Sequence, residues 1–235
     1  MRGMGFSGAR KNDETVGKRL EPLDFRALQS RHEGVVTQQK ELAMRPVLVN
    51  LMCHPVRDPK ITVPDGEGYT VFMNRRPNYA AAFVYAMKTA VDKWMDMVIA
   101  DTDGYHPVEE IVKLARYPMP EKGMMLVKPF RENIGFQSDF FSMIYSTSVG
   151  RRVKDSTGGM YKMSYDLMKG LGPLQASDMT IHIEILNRAL SLGAKVVQYG
   201  YTAGLNDRKN SKRTSQYQLK LLRELAMDKI RKEPT

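Results

Sequence analysis

The chain has 235 residues, of which 42% are hydrophobic and 26% are charged. This length and balance predict one sizeable globular domain and exclude collagen-like, disordered and coiled-coil classes. The single cysteine, Cys53, excludes an intramolecular disulfide and a cysteine-rich zinc module. A formal net charge of +10 favours anionic partners, namely phosphates, nucleotides, nucleic acid or an acidic membrane surface.

The pattern of charge and hydropathy divides the chain into three parts. Residues 1–33 mix glycine and charge without a sustained apolar period, which predicts a flexible basic arm. Residues 34–214 form the predicted main domain, and residues 215–235 carry a basic amphipathic helix that we expect to pack against it. No apolar run is long enough for a signal peptide or a membrane span, so we expect a cytoplasmic protein, either free or peripheral at a membrane surface.

The first part of the main domain predicts short strands and one short helix. A weak strand is predicted at residues 35–37. Residues 46–52 place apolar side chains on one side after a proline, which predicts a helix. Residues 60–63 and 69–73 predict strands, the first of them closed by a Pro-Asp-Gly turn.

The following segments have stronger patterns. Residues 78–94 predict an apolar helix lying against a sheet, and the continuous apolar run at residues 97–100 predicts a buried parallel strand. Residues 107–116 predict a helix with proline near its start, acids in its first turn and bases in its last. The remaining predicted elements are a strand at 124–127, helices at 136–149 and 180–192, and a strand at 195–199. This alternation predicts an α/β fold with a mostly parallel central sheet flanked by helices.

Two carboxylates follow the predicted strand at residues 97–100. Asp101 and Asp103 project from one turn, where two oxygen ligands suit a hard divalent cation such as Mg²⁺ or Mn²⁺. A turn with helix-capping carboxylates is the alternative explanation. Because open α/β sheets bind ligands at the carboxyl ends of their strands, the position favours a metal and diphosphate site.

The segment around this pair carries a resemblance to a known family. Residues 101–110, Asp-Thr-Asp-Gly-Tyr-His-Pro-Val-Glu-Glu, resemble the signature Asp-Ala-Asp-X-Gln-His-Pro-Pro-Glu of inverting family 2 glycosyltransferases, especially the branch of dolichol-phosphate mannose synthase and polyprenol-phosphate glycosyltransferases. Residues 61–67, 75–78 and 155–161 resemble three other segments of that family, in the same order. The resemblance implies a GT-A nucleotide-diphospho-sugar transferase fold.

The resemblance also implies roles for individual residues. Asp101 and Asp103 would hold Mg²⁺ or Mn²⁺ against the diphosphate of a GDP- or UDP-linked sugar, while Asp65 and Arg75 would contact the donor. Asp155 would take a proton from an acceptor hydroxyl, although a salt-bridged loop residue is the alternative, and an ionised lipid phosphate needs no base. The candidates for binding phosphate groups are Arg131, Arg208 and Lys212.

The implied activity is metal-dependent, inverting transfer of a hexose, mannose or glucose, to a polyprenyl or dolichyl phosphate. Two alternatives stay open at this point. The net charge equally allows a glycosyltransferase that acts on hydroxymethylated bases of DNA. A non-catalytic, basic nucleic-acid-binding protein on a transferase scaffold is the other, because the family's first-strand motif Pro-X-Tyr-Asn-Glu is missing.

Overall fold

The computed structural model describes residues 44–204 apart from Pro55. The predicted arm at residues 1–33, the weak strand at 35–37 and the helix at 215–235 lie outside the described residues. Arg208 and Lys212 lie outside them as well. In the described part, no helix has both the length and the apolar content needed to cross a membrane.

The described residues form a central sheet with one strand that runs against the others. The strands are β1 (Val47–Met52), β2 (Tyr69–Asn74), β3 (Asp96–Asp101), β4 (Met125–Val127), β5 (Phe130–Arg131), β6 (Tyr161–Met163), β7 (Lys195–Val197) and β8 (Gly200–Tyr201). Six of them form one sheet in the order β2-β1-β3-β6-β4-β7, and β5 pairs with β8. β6 is antiparallel to both β3 and β4, whereas the other pairs are parallel. The sheet is therefore mostly parallel, as predicted.

Five helices are described: α1 (Tyr79–Asp92), α2 (Val108–Arg116), α3 (Phe136–Val149), α4 (Tyr165–Leu171) and α5 (Ile181–Ser191). Their ends follow local chemistry. The side chain of Asn78 accepts from the Ala81 amide at 2.9 Å and begins α1. α3 ends at Gly150, whose φ of 65° suits a residue without a Cβ atom.

The core lies on both faces of the sheet because successive strand residues point to opposite sides. Met97 and Ile99 of β3 face one apolar cluster, to which α1, α3, α4 and α5 contribute. Val98 and Ala100 face a second cluster, which contains Ile111 and other residues of α2. The sheet is thus covered on both faces, which is why its central strands read as continuous apolar runs.

The register of the first three strands positions the candidate site. Met52 of β1 lies opposite both Asn74 of β2 and Asp101 of β3, so the three parallel strands end at the same level. The segments that follow them meet at one edge of the sheet. This edge contains the predicted carboxylate pair.

Two predicted elements are wrong. Residues 46–52 form strand β1 instead of a helix, and all six residues of β1 are buried because the strand lies between β2 and β3. Residues 60–63 form no strand; the chain there makes a backbone bond from the Lys60 amide to the Thr102 carbonyl at 2.9 Å and continues as a loop. The structure also contains β5, β6, β8 and α4, which the sequence did not predict.

A buried lysine stabilises the end of α2 and yields a stability prediction. The Lys162 ammonium donates to the carbonyls of Ala115 at 2.7 Å and Tyr117 at 2.8 Å, and burial lowers the pKa of this lysine to about 8. Lys162→Met should lower the free energy of unfolding in urea by about 1–3 kcal/mol, because these carbonyls lose their donor. Lys113→Met is the control, since Lys113 is exposed, pairs with Glu110 along the helix surface and lies over the ring of Tyr199, all of which are weak contacts at a surface. Equal losses in the two variants would contradict this role of Lys162.

Candidate functional site

A cavity of about 610 Å³ opens at the carboxyl ends of β1 and β3. Three carboxylates line it: Asp101 at the end of β3, Asp103 in the following turn, and Asp58 in the loop after β1. The turn is held locally, because the Tyr105 amide donates to Asp103 Oδ1 at 3.1 Å. The fold thus brings Asp101 and Asp103 to one cavity, where the sequence predicted a ligand site.

Three cationic side chains line the same cavity. Arg57 and Lys60 belong to the loop that follows β1, and Arg76 follows β2. The Arg76 guanidinium lies over the ring of Tyr85, 3.7 Å from its centroid, which orients it. Because guanidinium and ammonium groups pair with phosphate oxygens, this side of the cavity suits a diphosphate.

The carboxylates of the site fit a divalent cation. Among residues 44–204 there is no cluster of three or more His, Cys, Asp or Glu side chains that would hold a metal ion. Among these described residues, Asp101 and Asp103 are the candidate metal ligands. Mg²⁺ is commonly held by one or two carboxylates, with waters and substrate phosphates as its other ligands, so two carboxylates beside three cations agree with a metal bound together with a diphosphate.

Asp101 is tied to a buried histidine through a tyrosine. The Tyr79 hydroxyl donates to Asp101 Oδ1 at 3.1 Å and lies 2.8 Å from His182 Nε2. Burial lowers the pKa of His182 to about 3, so its ring is neutral. Gly159 packs against this group, since a Cβ atom there would lie 3.1 Å from Asp101 Oδ2.

Asp155 and Arg131 form a buried ion pair. The guanidinium of Arg131 donates to both oxygens of Asp155 at 2.7 and 2.6 Å, and the Arg131 amide donates to Oδ2 at 3.2 Å. Burial on its own would raise the pKa of Asp155, but the hydrogen bond and charge of Arg131 outweigh it and hold that pKa below its usual value. Asp155 also has a φ of 46°, in the left-handed region.

This geometry favours a positioning role for Asp155 over proton abstraction. The Asp155 carboxylate is 1% exposed, its lowered pKa makes it a weaker base, and it does not line the cavity. Arg131 does not line the cavity either; its guanidinium lies 5.3 Å from the ring centroid of Tyr105. The catalytic role of Asp155 and the phosphate-binding role of Arg131 stay predictions.

The remaining predicted donor contacts are not brought to the cavity. Asp65 lies beside the amino-terminal half of β2, where its Oδ1 accepts from the Val71 amide at 2.6 Å. The carboxylate of Asp65 thus joins the preceding loop to β2. Arg75 is exposed and does not line the cavity, whereas the next residue, Arg76, does. The donor contact predicted for Arg75 thus fits its neighbour better.

The sequence did not predict four of the residues that line the cavity: Arg57, Asp58, Lys60 and Tyr79. Three of them lie in the loop after β1, which was predicted to contain a strand. One signal was present: prolines at positions 55, 59 and 64 predict an irregular segment, and loops at the carboxyl end of a sheet commonly carry ligand-binding residues.

No protein-family model matches the chain, and the search of curated proteins finds no similar sequence. Solved structures do match. Glucosyl-3-phosphoglycerate synthase from Mycobacterium tuberculosis, in complex with Mg²⁺ and uridine-diphosphate, matches with a TM-score of 0.57 and 15% identity over 80% of this chain and 80% of that one. The same protein with Mn²⁺, uridine-diphosphate-glucose and phosphoglyceric acid matches with a TM-score of 0.53 and 17% identity over 76% of this chain and 77% of that one.

A further match is the crystal structure of a mycobacterial protein, with a TM-score of 0.56 and 16% identity over 76% of this chain and 72% of that one. Identities this low speak for the fold alone. The matching structures agree with the mostly parallel sheet flanked by helices. The chain therefore has the predicted GT-A fold, shared with glucosyl-3-phosphoglycerate synthase.

Proposed function

We propose that the chain is a metal-dependent glycosyltransferase that moves a hexose from a nucleotide-diphospho-sugar to an acceptor bearing a phosphate group. The observation that carries the proposal is the cavity itself, in which the carboxylates Asp101 and Asp103 face the same space as Arg57, Lys60 and Arg76. The carboxylate pair can bind a divalent cation that contacts a diphosphate, and the three cationic side chains can pair with the phosphate oxygens directly. The fold supports the proposal, because the neighbouring synthase structures contain Mn²⁺ or Mg²⁺ with uridine-diphosphate.

Each side chain has a separate task in this proposal. Asp101 and Asp103 hold Mg²⁺ or Mn²⁺, which when bound would neutralise the charge that develops on the departing nucleoside diphosphate. Arg57, Lys60 and Arg76 bind and orient the phosphate oxygens of the donor. Orientation of donor and acceptor in one cavity lowers the entropic part of the barrier.

The state of Asp155 supports an acceptor that bears a phosphate group. A phosphate group is already ionised and attacks without a general base, which agrees with an Asp155 that is buried and paired with Arg131. Polyprenyl phosphate, the acceptor implied by the sequence resemblance, is one member of this class. Phosphoglyceric acid and glycerol 3-phosphate, found in the neighbouring synthase complexes, are small phosphate-bearing molecules of a second kind: they also carry hydroxyl groups, so their phosphate can be bound while a hydroxyl attacks the sugar.

Calorimetry with UDP and GDP, each with Mn²⁺ and with EDTA, tests the donor site. We expect one of the two nucleotides to bind at least tenfold more tightly with Mn²⁺, and Asp101→Asn combined with Asp103→Asn to remove that gain. Asp139→Asn is the matched control, because Asp139 is an exposed carboxylate on α3 that does not line the cavity. Binding that is indifferent to Mn²⁺ would favour a non-catalytic scaffold and contradict the proposal.

Sugar transfer then identifies the acceptor. Radiolabelled UDP- or GDP-sugar is incubated with polyprenyl phosphate, with 3-phosphoglycerate and with hydroxymethylated DNA. Label on either phosphate-bearing acceptor supports the proposal and names the member of the class, and the anomeric configuration of the product tests the predicted inversion. Label on DNA alone would contradict the phosphate acceptor.

A further inference from the structure

A continuous chain of hydrogen bonds runs through the core to Asp101 at the cavity. The Tyr161 hydroxyl in β6 lies 2.9 Å from His182 Nδ1 in α5. His182 Nε2 lies 2.8 Å from the Tyr79 hydroxyl in α1, which lies 3.1 Å from Asp101 Oδ1 at the end of β3. Four separate elements are therefore joined at one carboxylate.

The direction of every bond in this chain is fixed by the last one. An ionised carboxylate only accepts, so Tyr79 donates its proton to Asp101 and its oxygen is left to accept from His182. His182 must then carry its proton on Nε2. Its Nδ1 has no proton and accepts from the Tyr161 hydroxyl, so all three donors point toward Asp101.

The surroundings hold this arrangement in place. Tyr161 is 2% exposed and His182 is 3% exposed, and burial lowers the pKa of His182 to about 3, which keeps the ring neutral with a single N–H. The rings of Tyr79 and Tyr161 meet the imidazole edge-on at 5.3 and 5.5 Å between centroids. A neutral, tightly packed imidazole has one tautomer that satisfies both tyrosines and Asp101.

Gly159 bounds Asp101 on its other side. A Cβ atom on Gly159 would lie 3.1 Å from Asp101 Oδ2 and 3.5 Å from His182 Nε2. Asp101 is thus held between a hydroxyl donor at Oδ1 and the backbone of Gly159 near Oδ2. This arrangement restricts the rotation of the carboxylate about its Cβ–Cγ bond.

We propose that His182 and Tyr79 are positioning residues, which fix the orientation of Asp101 for a divalent cation through the ordered donor chain that begins at Tyr161. The inference rests on the proposed function, since the cation belongs to that site. Partners that orient a metal-binding side chain typically change metal affinity by 10- to 100-fold when they are removed. Neither His182 nor Tyr161 lines the cavity.

The tautomer can be measured without any metal. Nitrogen-15 NMR of histidine-labelled protein distinguishes a protonated Nε2 from a protonated Nδ1, and His182→Gln assigns the signal. We expect His182 as the neutral Nε2–H form at pH 7. The Nδ1–H form would overturn the proposed order of the hydrogen bonds, whether or not the protein is a glycosyltransferase.

The second measurement is Mn²⁺ affinity in the presence of the nucleotide that binds best, from the free Mn²⁺ signal in electron paramagnetic resonance. We expect Tyr79→Phe and His182→Leu to weaken Mn²⁺ binding about tenfold or more. His182→Gln keeps an N–H donor near the position of Nε2 and should bind Mn²⁺ within about threefold of wild type. Tyr145→Phe is the control, because it removes a buried hydroxyl that bonds Asn187 at 2.6 Å, away from the cavity.

The outcomes separate the two claims. Wild-type protein that binds Mn²⁺ and nucleotide, with Tyr79→Phe binding equally well, would overturn the positioning role and leave the proposed function standing. Wild-type protein that binds neither would overturn both. If His182→Leu does not fold, Tyr161→Phe replaces it: this change removes the donor to His182 Nδ1, keeps the ring, and should weaken Mn²⁺ binding although Tyr161 does not line the cavity.

Discussion

Asp155→Asn should lower the free energy of unfolding by about 3–5 kcal/mol, because it leaves the buried guanidinium of Arg131 without its counter-charge. The pair is bidentate, with the side chain of Asp155 1% exposed and that of Arg131 16% exposed. Urea unfolding of the folded variant measures the loss. Asp139→Asn, on an exposed carboxylate, should change stability by no more than about 0.5 kcal/mol.

A second variant separates the effect of the unpaired Arg131 charge from the effect of changing the side chain at position 155. Asp155→Asn combined with Arg131→Met removes both charges, keeps at position 155 a residue that tolerates a φ of 46°, and should be less destabilised than Asp155→Asn alone. The same proteins test the predicted catalytic role of Asp155. An Asp155→Asn protein with wild-type stability, intact nucleotide binding and no sugar transfer would contradict the positioning role and support proton abstraction.

Acid should destabilise the protein at pH values well above those at which carboxylates usually titrate. Burial lowers the pKa of His106 to about 4 and of His182 to about 3, so both rings stay neutral in the folded chain. As the pH falls below the unfolded value of about 6.5, the unfolded chain takes up protons that the folded chain does not. Each histidine should therefore remove about 2–3 kcal/mol of stability between pH 6.5 and pH 4.5.

Two carboxylates modify this profile with opposite signs. The pKa of Asp155 is lowered in the folded chain, so its contribution is lost only as the pH falls below its unfolded value, about 3.9. Burial raises the pKa of Asp96, so acid relieves a cost there and opposes the histidines. Unfolding in urea at pH 7, 6 and 5 measures the combined effect of the histidines and Asp96, and a further point at pH 3.5 adds the loss at Asp155.

Two variants test whether the buried histidines cause the dependence of the unfolding free energy on pH. His106→Gln should flatten the dependence of stability on pH, because a glutamine takes up no proton in the unfolded chain. Tyr145→Phe is the control, because a phenol does not titrate between pH 5 and pH 7, and its slope should equal that of wild type. An equal slope in wild type and His106→Gln would contradict the assignment.

The sequence predicted the elements whose patterns were long or unambiguous. In both α1 and α2, the apolar period and the residues that begin and end the helix predict the same bounds. β3 is a continuous apolar run followed by polar residues. β1 was read as a helix because Leu48, Leu51 and Met52 have helical spacing. Its six residues are too few for a typical helix, and Val47 and Val49 favour a strand buried on both faces.

The candidate site was predicted in part for a similar reason. Asp101 and Asp103 lie two positions apart at the end of a clear strand, so the local pattern was enough. Tyr79 and His182 meet Asp101 only because α1 and α5 pack on one face of the sheet. Arg57 and Lys60 reach the cavity through an irregular loop that is held by the backbone bond from Lys60 to Thr102 and by bonds to the His54 side chain. Local sequence carries no information on such distant contacts.

The antiparallel strand β6 constrains how the native sheet is completed. β1, β2 and β3 lie close together in sequence, but the outer edge of β3 pairs with β6, which comes after β4, β5 and α3 in the chain. β4 follows β3 in sequence and yet reaches the sheet only through β6. Until residues 161–163 arrive, β3 presents unpaired backbone groups that invite association with other chains. Long-range pairing of this kind slows folding. We therefore expect chains truncated before β6, and full-length chains in which β6 has not yet paired, to aggregate through the edge of β3.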